Sequence, residues 1–219
     1  MTVPVPTLRV ERELWGAAGI VIACDEVGRG ALAGPVAIGA TALAPRGIGE
    51  PIPEGLRDSK LVAEPRRPDL AARAAAWVDA SAVGWASAEE IDGVGIIRAL
   101  GIAAHRALDG LRRQGVGFAE AIVLLDGNHD YISPVGEVGC RVHPIVKADR
   151  DCASVSAASV IAKVARDTLM VDLHEDWPAY QWARNKGYAS LAHREAIREH
   201  GLSAYHRASW AIADAPALF

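Results

Sequence analysis

Short runs of hydrophobic residues that stop abruptly at acids or glycines are the dominant pattern of this chain. Residues 19–24 form one such apolar run and stop at Asp25, and residues 121–125 form another and stop at Asp126. Apolar runs of this length, bounded by turn residues, predict buried strands. The predicted strands are residues 19–24, 34–43, 82–86, 121–125 and 141–146.

Helical spacing of apolar residues appears in the segments between and after these strands. The longest such segment places valine, isoleucine and leucine on or near one stripe. The predicted helices are residues 68–79, 96–113, 153–173 and 191–199, and the proline- and glycine-rich residues 44–57 predict a loop. Strands and helices do not alternate strictly, which indicates an α/β protein with a mixed sheet.

Composition narrows the class of protein. At 219 residues, 51% hydrophobic and 23% charged, the chain is expected to form one globular domain with a small C-terminal appendage. Its net charge of −4 means that any contact with a nucleic acid must come from a local basic patch. The chain has three cysteines, Cys24, Cys140 and Cys152. Their odd number argues against a set of disulfides, and their spacing does not match a zinc site.

No segment has the pattern of a membrane span or a leader. No uninterrupted apolar run reaches the ~18 residues that a membrane span requires, and residues 1–15 lack the apolar core of a signal peptide. We therefore expect a cytoplasmic protein with no membrane contact, and nothing in the sequence demands more than a monomer.

Acids follow three of the predicted strands. The first ends on Asp25 and Glu26, the fourth on Asp126, and the fifth on Asp149, to which it leads through Lys147 and Ala148. Ligands of α/β sheets bind at such strand ends, where these acids would repel one another unless a cation lay between them. Oxygen donors favour Mg²⁺ or Mn²⁺, and four carboxylates suit two ions about 3.5–4 Å apart, an arrangement that hydrolyses phosphodiesters. The alternative is that each acid is a solvated loop residue.

Gly28-Arg29-Gly30 forms a glycine turn directly after these acids. Such a turn lets backbone N–H groups approach a phosphate or a sugar closely. A dinucleotide-binding loop is an alternative, but Gly34 is one position late for that motif, and the preceding acids would lie against the pyrophosphate. A non-catalytic nucleic-acid-binding module is a third hypothesis.

The acids and the glycine turn belong to a longer series of motifs along the chain. These are CDEVGRG at 24–30, LAGPV at 32–36, DSK at 58–60, DGN at 126–128, KAD at 147–149, SVSAASVIAK at 154–163, RD at 166–167, KGY at 186–188, His193, Gly201 and HR at 206–207. In this order and over nearly the whole chain, the motifs resemble the ribonuclease HII family.

The resemblance implies a ribonuclease H-like fold, with a five-stranded mixed sheet flanked by helices and a helical C-terminal extension. It implies a catalytic domain over residues 1–173 and an extension over 174–219 packed on the same domain. The implied substrates are RNA/DNA hybrids and duplex DNA with a single embedded ribonucleotide, which is incised on its 5′ side. The implied products carry a 3′-hydroxyl and a 5′-phosphate, and the implied cofactor is Mg²⁺ or Mn²⁺, with two ions in the catalytic complex.

The resemblance also implies individual roles. The catalytic, metal-binding acids are Asp25, Glu26, Asp126 and Asp149; the residues that recognise the ribose 2′-hydroxyl are Gly28, Arg29 and Gly30; Lys60 contacts phosphate; and Tyr188 stacks against the sugar on the 3′ side. Three positions depart from the family pattern, namely Cys24, the pair Leu61-Val62 after the DSK element, and Ala189 after the tyrosine.

Predictions also concern two further groups of residues. Lys147, Lys163 and Lys186 are candidates for phosphate contact, although Lys163 could instead pair with a neighbouring acid. The serines of the helix predicted over residues 153–173 lack the context of a catalytic triad, so we assign them to its start and packing.

Overall fold

A five-stranded sheet with helices on both faces forms the centre of the structure, a computed structural model that describes residues 5–16, 19–45 and 51–210. The sheet has the order β3-β2-β1-β4-β5. β2 is antiparallel to β1 and β3, whereas β1, β4 and β5 are parallel, which confirms the predicted mixed sheet. The strands are β1 (Ile20–Val27), β2 (Val36–Leu43), β3 (Ala80–Ala86), β4 (Ala121–Asp126) and β5 (Arg141–Ile145).

The helices of the described residues include all four that the spacing predicts, with ends shifted by a few residues. They are α1 (Arg9–Trp15), α2 (Arg67–Trp77), α3 (Ala88–Val94), α4 (Ile96–Arg113), α5 (Ala148–Asp151), α6 (Ala153–Asp176), α7 (Trp182–Asn185) and α8 (Leu191–His200). The four that were not predicted, α1, α3, α5 and α7, have seven residues or fewer, too short for a helical period to show.

Alternate residues of β1 serve two separate cores. Ile22 and Cys24 pack in the cluster that includes Leu100 of α4, whereas Val21 and Ala23 pack in a cluster with α5 and α6. This is the two-residue period of a strand buried on both faces. The carboxyl end of β1 therefore lies between the helix layers.

The α6 helix approaches the sheet very closely. A Cβ atom at Gly39 of β2 would lie 2.3 Å from the carbonyl oxygen of Ala158, so only glycine fits there. α6 then continues through Asp176, past the predicted boundary at residue 173. The helices that follow pack on it through a hydrophobic cluster that also contains Leu32 and Ala33. The C-terminal segment thus shares its packing with the turn after β1.

Parts of the predicted segments lie outside the described residues: residues 1–4 and 17–18 of the predicted catalytic domain, residues 46–50 of the predicted loop, and residues 211–219 of the predicted extension. Among the helices that the structure describes, none combines the length and the apolar character needed to cross a bilayer.

The N-terminal helix supplies the cap that α6 lacks. The residue before α6, Cys152, makes no side-chain capping bond. Instead, the carboxylate of Glu11 accepts hydrogen bonds from the N–H (2.9 Å) and the hydroxyl (2.7 Å) of Ser154. Thr7 adds a second link, since its carbonyl accepts from the N–H of Ala153 at 3.0 Å. A carboxylate is favourable at this end of a helix because of the helix dipole.

Glu11→Ala is expected to destabilise the protein by about 1–3 kcal/mol, because two buried donors of Ser154 lose their acceptor. Urea denaturation measures the change. Glu13→Ala is the matched control, since Glu13 lies in the same helix but is 64% exposed, and its loss should cost less than about 0.5 kcal/mol. Equal effects of the two substitutions would contradict the capping role.

Candidate active site

The pairing of β1 with β4 brings two of the predicted acids together. The parallel register sets Cys24 opposite Leu125, so Asp25 and Asp126 are neighbours at the carboxyl ends of adjacent strands. Asp25 is buried, and Glu26 is the next residue of β1. The sheet thus places three of the four acids at one edge, as the apolar runs predicted.

The prediction that the fourth acid directly follows a strand is wrong. β5 ends at Ile145, and Asp149 lies in the first turn of α5. Lys147 adopts a left-handed conformation, with φ of 62°, as the residue that precedes α5. This turn brings the backbone N–H of Asp149 to 3.2 Å from Oδ1 of Asp126. Asp149 therefore joins the other acids by means of a tight turn.

Burial and mutual repulsion make these acids hard to ionise. The pKa of Asp25 is raised well above its usual value, first by burial and then by the charges of Glu26, Asp126 and Asp149. Burial and the neighbouring Asp126 raise the pKa of Asp149 to about 6. The pKa values of Glu26 and Asp126 are also raised, chiefly by burial. Each negative charge that this edge acquires is therefore costly.

Lys60 partly neutralises this charge. The side chain of Asp58 accepts a hydrogen bond from the N–H of Lys60 at 3.0 Å and shapes the turn that presents the lysine. Lys60 Nζ lies 3.7 Å from Oδ2 of Asp149. Burial opposes the charge of Lys60, but the attraction of Asp58, Asp25 and Asp149 outweighs it, so the pKa of the lysine is raised. Lys60 is a cation at the rim of the acid cluster.

Two serines of α6 contact the acid cluster, a role that was not predicted from the sequence. A hydrogen bond from Ser159 lowers the pKa of Asp25 against the effect of burial. The hydroxyl oxygens of Ser159 and Ser59 lie 3.0 Å apart. Ser156, one turn earlier, donates to the carbonyl of Asp149 at 2.7 Å. The spacing of three residues between Ser156 and Ser159 places both on one face of the helix, and this spacing could have indicated a shared polar contact.

The donor chemistry of this edge fits a hard divalent cation. Carboxylate oxygens are the donors that Mg²⁺ and Mn²⁺ prefer, and a cation removes the repulsion between them. Within residues 5–16, 19–45 and 51–210, no three His, Cys, Asp or Glu side chains converge tightly enough to enclose an ion. The acids are therefore electrostatic neighbours, and binding an ion requires their side chains to close around it.

The glycine turn lines a cleft of about 230 Å³ beside the acids. Gly28 has φ of 87°, and a Cβ atom there would lie 2.0 Å from Nε of Arg166, so glycine is required twice over. Arg29 Nη1 lies 3.5 Å from Oε1 of Glu26. The residues that line the cleft are Asp25, Glu26, Val27, Gly28, Arg29, Gly30, Ser59, Lys60, Lys163 and Tyr188.

Tyr188 lies in this cleft with 37% of its surface exposed. Its ring is 5.5 Å from the guanidinium of Arg166 and 5.8 Å from Nζ of Lys163. Two of the lysines proposed for phosphate contact are paired with acids: Lys163 with Asp167 at 2.5 Å, and Lys186 with Glu64 at 3.0 Å. Lys163 thus makes the pairing that the sequence offered as its alternative.

A buried histidine pair holds the backbone at Tyr188. His193 Nδ1 lies 2.9 Å from the carbonyl of Tyr188, which can only accept, so Nδ1 carries the proton. Nε2 of His193 then accepts from Trp182 at 3.0 Å, and Nε2 of His206 lies 3.2 Å from the same nitrogen. His206 in turn accepts from the N–H of Ser203 at 2.9 Å. Both rings are neutral, and burial lowers the pKa of His206 to about 4.

Two solved structures share this architecture. The ribonuclease H2 from Pyrococcus horikoshii OT3 has a TM-score of 0.70 at 25% identity, over 89% of this chain and 95% of that one. Bst-RNase HIII in complex with Mn²⁺ has a TM-score of 0.73 at 20% identity, over 91% of this chain and 70% of that one. The chain therefore has a ribonuclease H-like fold, as predicted.

Sequence comparison gives the family. The family model for Ribonuclease HII matches residues 22–213. The Ribonuclease HII of Streptomyces griseus is 46% identical over 215 residues, covering 96% of this chain and 86% of that one. The Ribonuclease HII of Roseobacter denitrificans is 46% identical over 187 residues, covering 85% of this chain and 87% of that one. The chain belongs to the ribonuclease HII family, whose members are divalent-metal-dependent endonucleases that degrade RNA in RNA/DNA hybrids.

The acid cluster is expected to make the metal-free protein less stable as the pH rises. Because the pKa of Asp149 is about 6 in the folded protein and 3.8 as a free side chain, the folded state binds its proton more tightly. The contribution of Asp149 to the free energy of unfolding is therefore fully present below about pH 4 and is lost as the pH rises past about 6. The loss for this group is roughly 2–3 kcal/mol. Asp25 extends the loss to higher pH.

Urea denaturation at several pH values in a chelator measures this loss. Mg²⁺ should restore stability above about pH 6, because it binds the ionised acids of the folded state. Asp149→Asn should flatten the pH profile of the metal-free protein. A stability that rises steadily from pH 4 to pH 7 would contradict the electrostatic account.

Proposed function

We propose that this nuclease incises duplex DNA on the 5′ side of a single embedded ribonucleotide, and also cuts the RNA strand of hybrids, leaving 3′-hydroxyl and 5′-phosphate ends. The observation that carries the proposal is the shared cleft. Asp25 and Glu26 line the same cleft as the Gly28–Gly30 turn and Tyr188. Groups suited to hydrolysis and groups suited to sensing a sugar therefore lie within reach of one nucleotide.

The proposed metal ligands are Asp25, Glu26, Asp126 and Asp149. They would hold two Mg²⁺ or Mn²⁺ ions, which when bound activate the attacking water and stabilise the leaving oxygen. The chain's own contribution is to hold the acids at one strand edge and to limit their ionisation until a cation binds. Lys60 supplies a positive charge next to them and is placed to contact a phosphate of the same strand.

The glycine turn and Tyr188 are the proposed determinants of ribonucleotide recognition. The 2′-hydroxyl is the group that distinguishes RNA from DNA at a given position. Backbone N–H groups of Gly28, Arg29 and Gly30 can approach it closely, because the turn carries no side chain at two of its three positions. The half-exposed ring of Tyr188 offers a stacking surface for the sugar on the 3′ side.

The departures from the family pattern are compatible with these roles. Val62 is 7% exposed and belongs to a hydrophobic cluster, so this position packs in the core. Leu61 and Ala189 are exposed, and neither lines the cleft. We also propose that residues 174–219 form an extension of the same domain, which presents Tyr188 to the cleft, and that the protein acts as a monomer.

Cleavage of a duplex with one ribonucleotide tests the proposal. The unaltered protein should cut that duplex in Mg²⁺ or Mn²⁺ but not in excess chelator, and Asp25→Asn should reduce the rate about a thousandfold or more. Asp109→Asn is the matched control, since Asp109 lies on the exposed side of α4 and pairs with Arg112. End-labelled substrates identify the cut position and the end groups.

Full activity in chelator would refute the metal mechanism. Tight binding of the duplex without cleavage would favour a non-catalytic binding module. Binding of a dinucleotide at the glycine turn without cleavage would favour a cofactor-dependent enzyme.

Tyr188→Ala is expected to raise KM for the single-ribonucleotide duplex about tenfold, because a stacking contact is lost. Tyr188→Phe should retain most activity, since the ring remains. Tyr205→Ala is the control, because Tyr205 is also 37% exposed but does not line the cleft. An equal loss on long hybrids and on single-ribonucleotide duplexes would argue against a role at the RNA–DNA junction.

A further inference from the structure

Two buried arginines lie behind the glycine turn and bind backbone carbonyls instead of carboxylates. Arg166 and Arg207 are both fully buried. Among the described residues, neither guanidinium forms an ion pair with a carboxylate. A buried charge is costly unless its donors are satisfied. Their partners are instead backbone carbonyl oxygens of the segment that follows β1.

Arg207 binds the turn itself. Its Nη2 donates to the carbonyl of Gly28 at 2.6 Å, and its Nη1 donates to that of Arg29 at 2.8 Å. Nη2 and Nε also donate to the carbonyl of Gly34, at 3.1 and 3.3 Å. One planar fork thus holds three carbonyls, a geometry that arginine provides and lysine does not.

Arg166 joins the same segment to the loop that carries Tyr188. It donates to the carbonyls of Ala33 at 3.0 Å and Pro35 at 2.8 Å, and to that of Lys186 at 2.9 Å. The carbonyl of Gly187 completes the link, since it accepts from the N–H groups of Leu32 and Ala33. The glycine turn and the Tyr188 loop are therefore fixed relative to each other.

The carbonyl contacts of Arg207 determine where the adjacent N–H groups point. In a trans peptide, the carbonyl of one residue and the N–H of the next point in opposite directions, and the described chain contains no cis bond. The carbonyls of Gly28 and Arg29 both face Arg207, so the N–H groups of Arg29 and Gly30 face away from it. Within the described residues, these two N–H groups donate no hydrogen bond.

The two N–H groups consequently form a pair of parallel donors on the side of the turn away from the buried arginine. Arg29 and Gly30 line the cleft that also contains Asp25 and Tyr188. Consecutive backbone donors of this kind make a concave site for an oxygen atom. An oxygen of the ribose is the ligand that the proposed function supplies.

We propose that Arg207 and Arg166 are positioning residues for ribonucleotide recognition: Arg207 orients the N–H groups of Arg29 and Gly30 toward the 2′-hydroxyl, and Arg166 sets the distance between this turn and Tyr188. The inference rests on the proposed function, since it concerns how the same cleft selects its substrate. Neither arginine touches the substrate; each acts through backbone carbonyls.

Arg207→Lys is the primary test. A lysine keeps the positive charge but cannot hold three carbonyls in the geometry of the fork. For the duplex with one ribonucleotide, KM should rise about tenfold while kcat changes less than about twofold, because recognition is weakened and the acids are untouched. In chelator, the preference for binding this duplex over the all-DNA duplex should fall toward one.

Arg112→Lys is the matched control. Arg112 also donates to a backbone carbonyl, that of Val138 at 2.6 Å, but it lies on α4 away from the cleft. Its substitution should leave KM and the binding preference unchanged. A purely structural effect of Arg207→Lys would lower the active fraction, and hence kcat, without changing KM or the preference, and that result would overturn the proposal.

A measurement on the unaltered protein covers the case in which Arg207→Lys does not fold. Titration of ¹⁵N-labelled protein with each duplex in chelator should shift the amide resonances of Arg29 and Gly30 only with the ribonucleotide duplex. The amide of Gly55, in an exposed loop, is the reference. Equal shifts with the all-DNA duplex would overturn the proposal.

The proposed function and the positioning role of Arg207 are contradicted by different results. If the unaltered protein does not cut the ribonucleotide duplex, the proposed function is wrong. If it cuts that duplex and Arg207→Lys keeps the same KM and binding preference, the function stands and the positioning role is wrong.

Discussion

Repulsion between carboxylates at one edge of the sheet is the interaction around which the structure is arranged. The parallel pairing of β1 and β4 sets Asp25 beside Asp126, and burial removes the water that would screen them. Compensation comes from elements that are far apart in sequence, namely Lys60 on the DSK turn, Ser159 on α6 and the backbone N–H of Asp149. These contacts offset part of the repulsion without removing it, so the edge remains suited to a hard cation.

The location of most of this edge could be predicted from the sequence because burial leaves a local pattern. A strand buried on both faces is continuously apolar, and the first charged residue marks its end. This is why residues 121–125 predicted the end of β4 at Asp126 correctly, whereas β1 continues through Asp25 to Val27, past its predicted end at residue 24. The same argument failed for Asp149, because a left-handed residue and a four-residue helix separate it from β5. A helix of four residues is stabilised by tertiary contacts, and it is too short to show a helical period of apolar residues in the sequence.

Contacts between distant segments could not be predicted in this way. The hydroxyls of Ser59 and Ser159 meet across 100 residues, and Glu11 caps α6 across 143. Arg166 sits in a helix whose other buried residues are mostly small and apolar. A charged residue among buried positions was the visible signal of a special role, but its partners are backbone carbonyls, which have no signature in the sequence. Such partners emerge only when the chain is folded.

The glycine turn is completed from the far end of the chain. Arg207 is 179 residues from Gly28, whereas Asp149 lies well before it. Protein synthesis is directional, so a growing chain carries all four acids before it carries the side chain that orders the turn. Closing so long a loop also slows folding, because chain entropy must be lost before the contact forms. An incomplete chain thus has the four acids but not the contacts that order the glycine turn. Under the proposed function, selectivity for ribonucleotides would be gained only after Arg207 is in place.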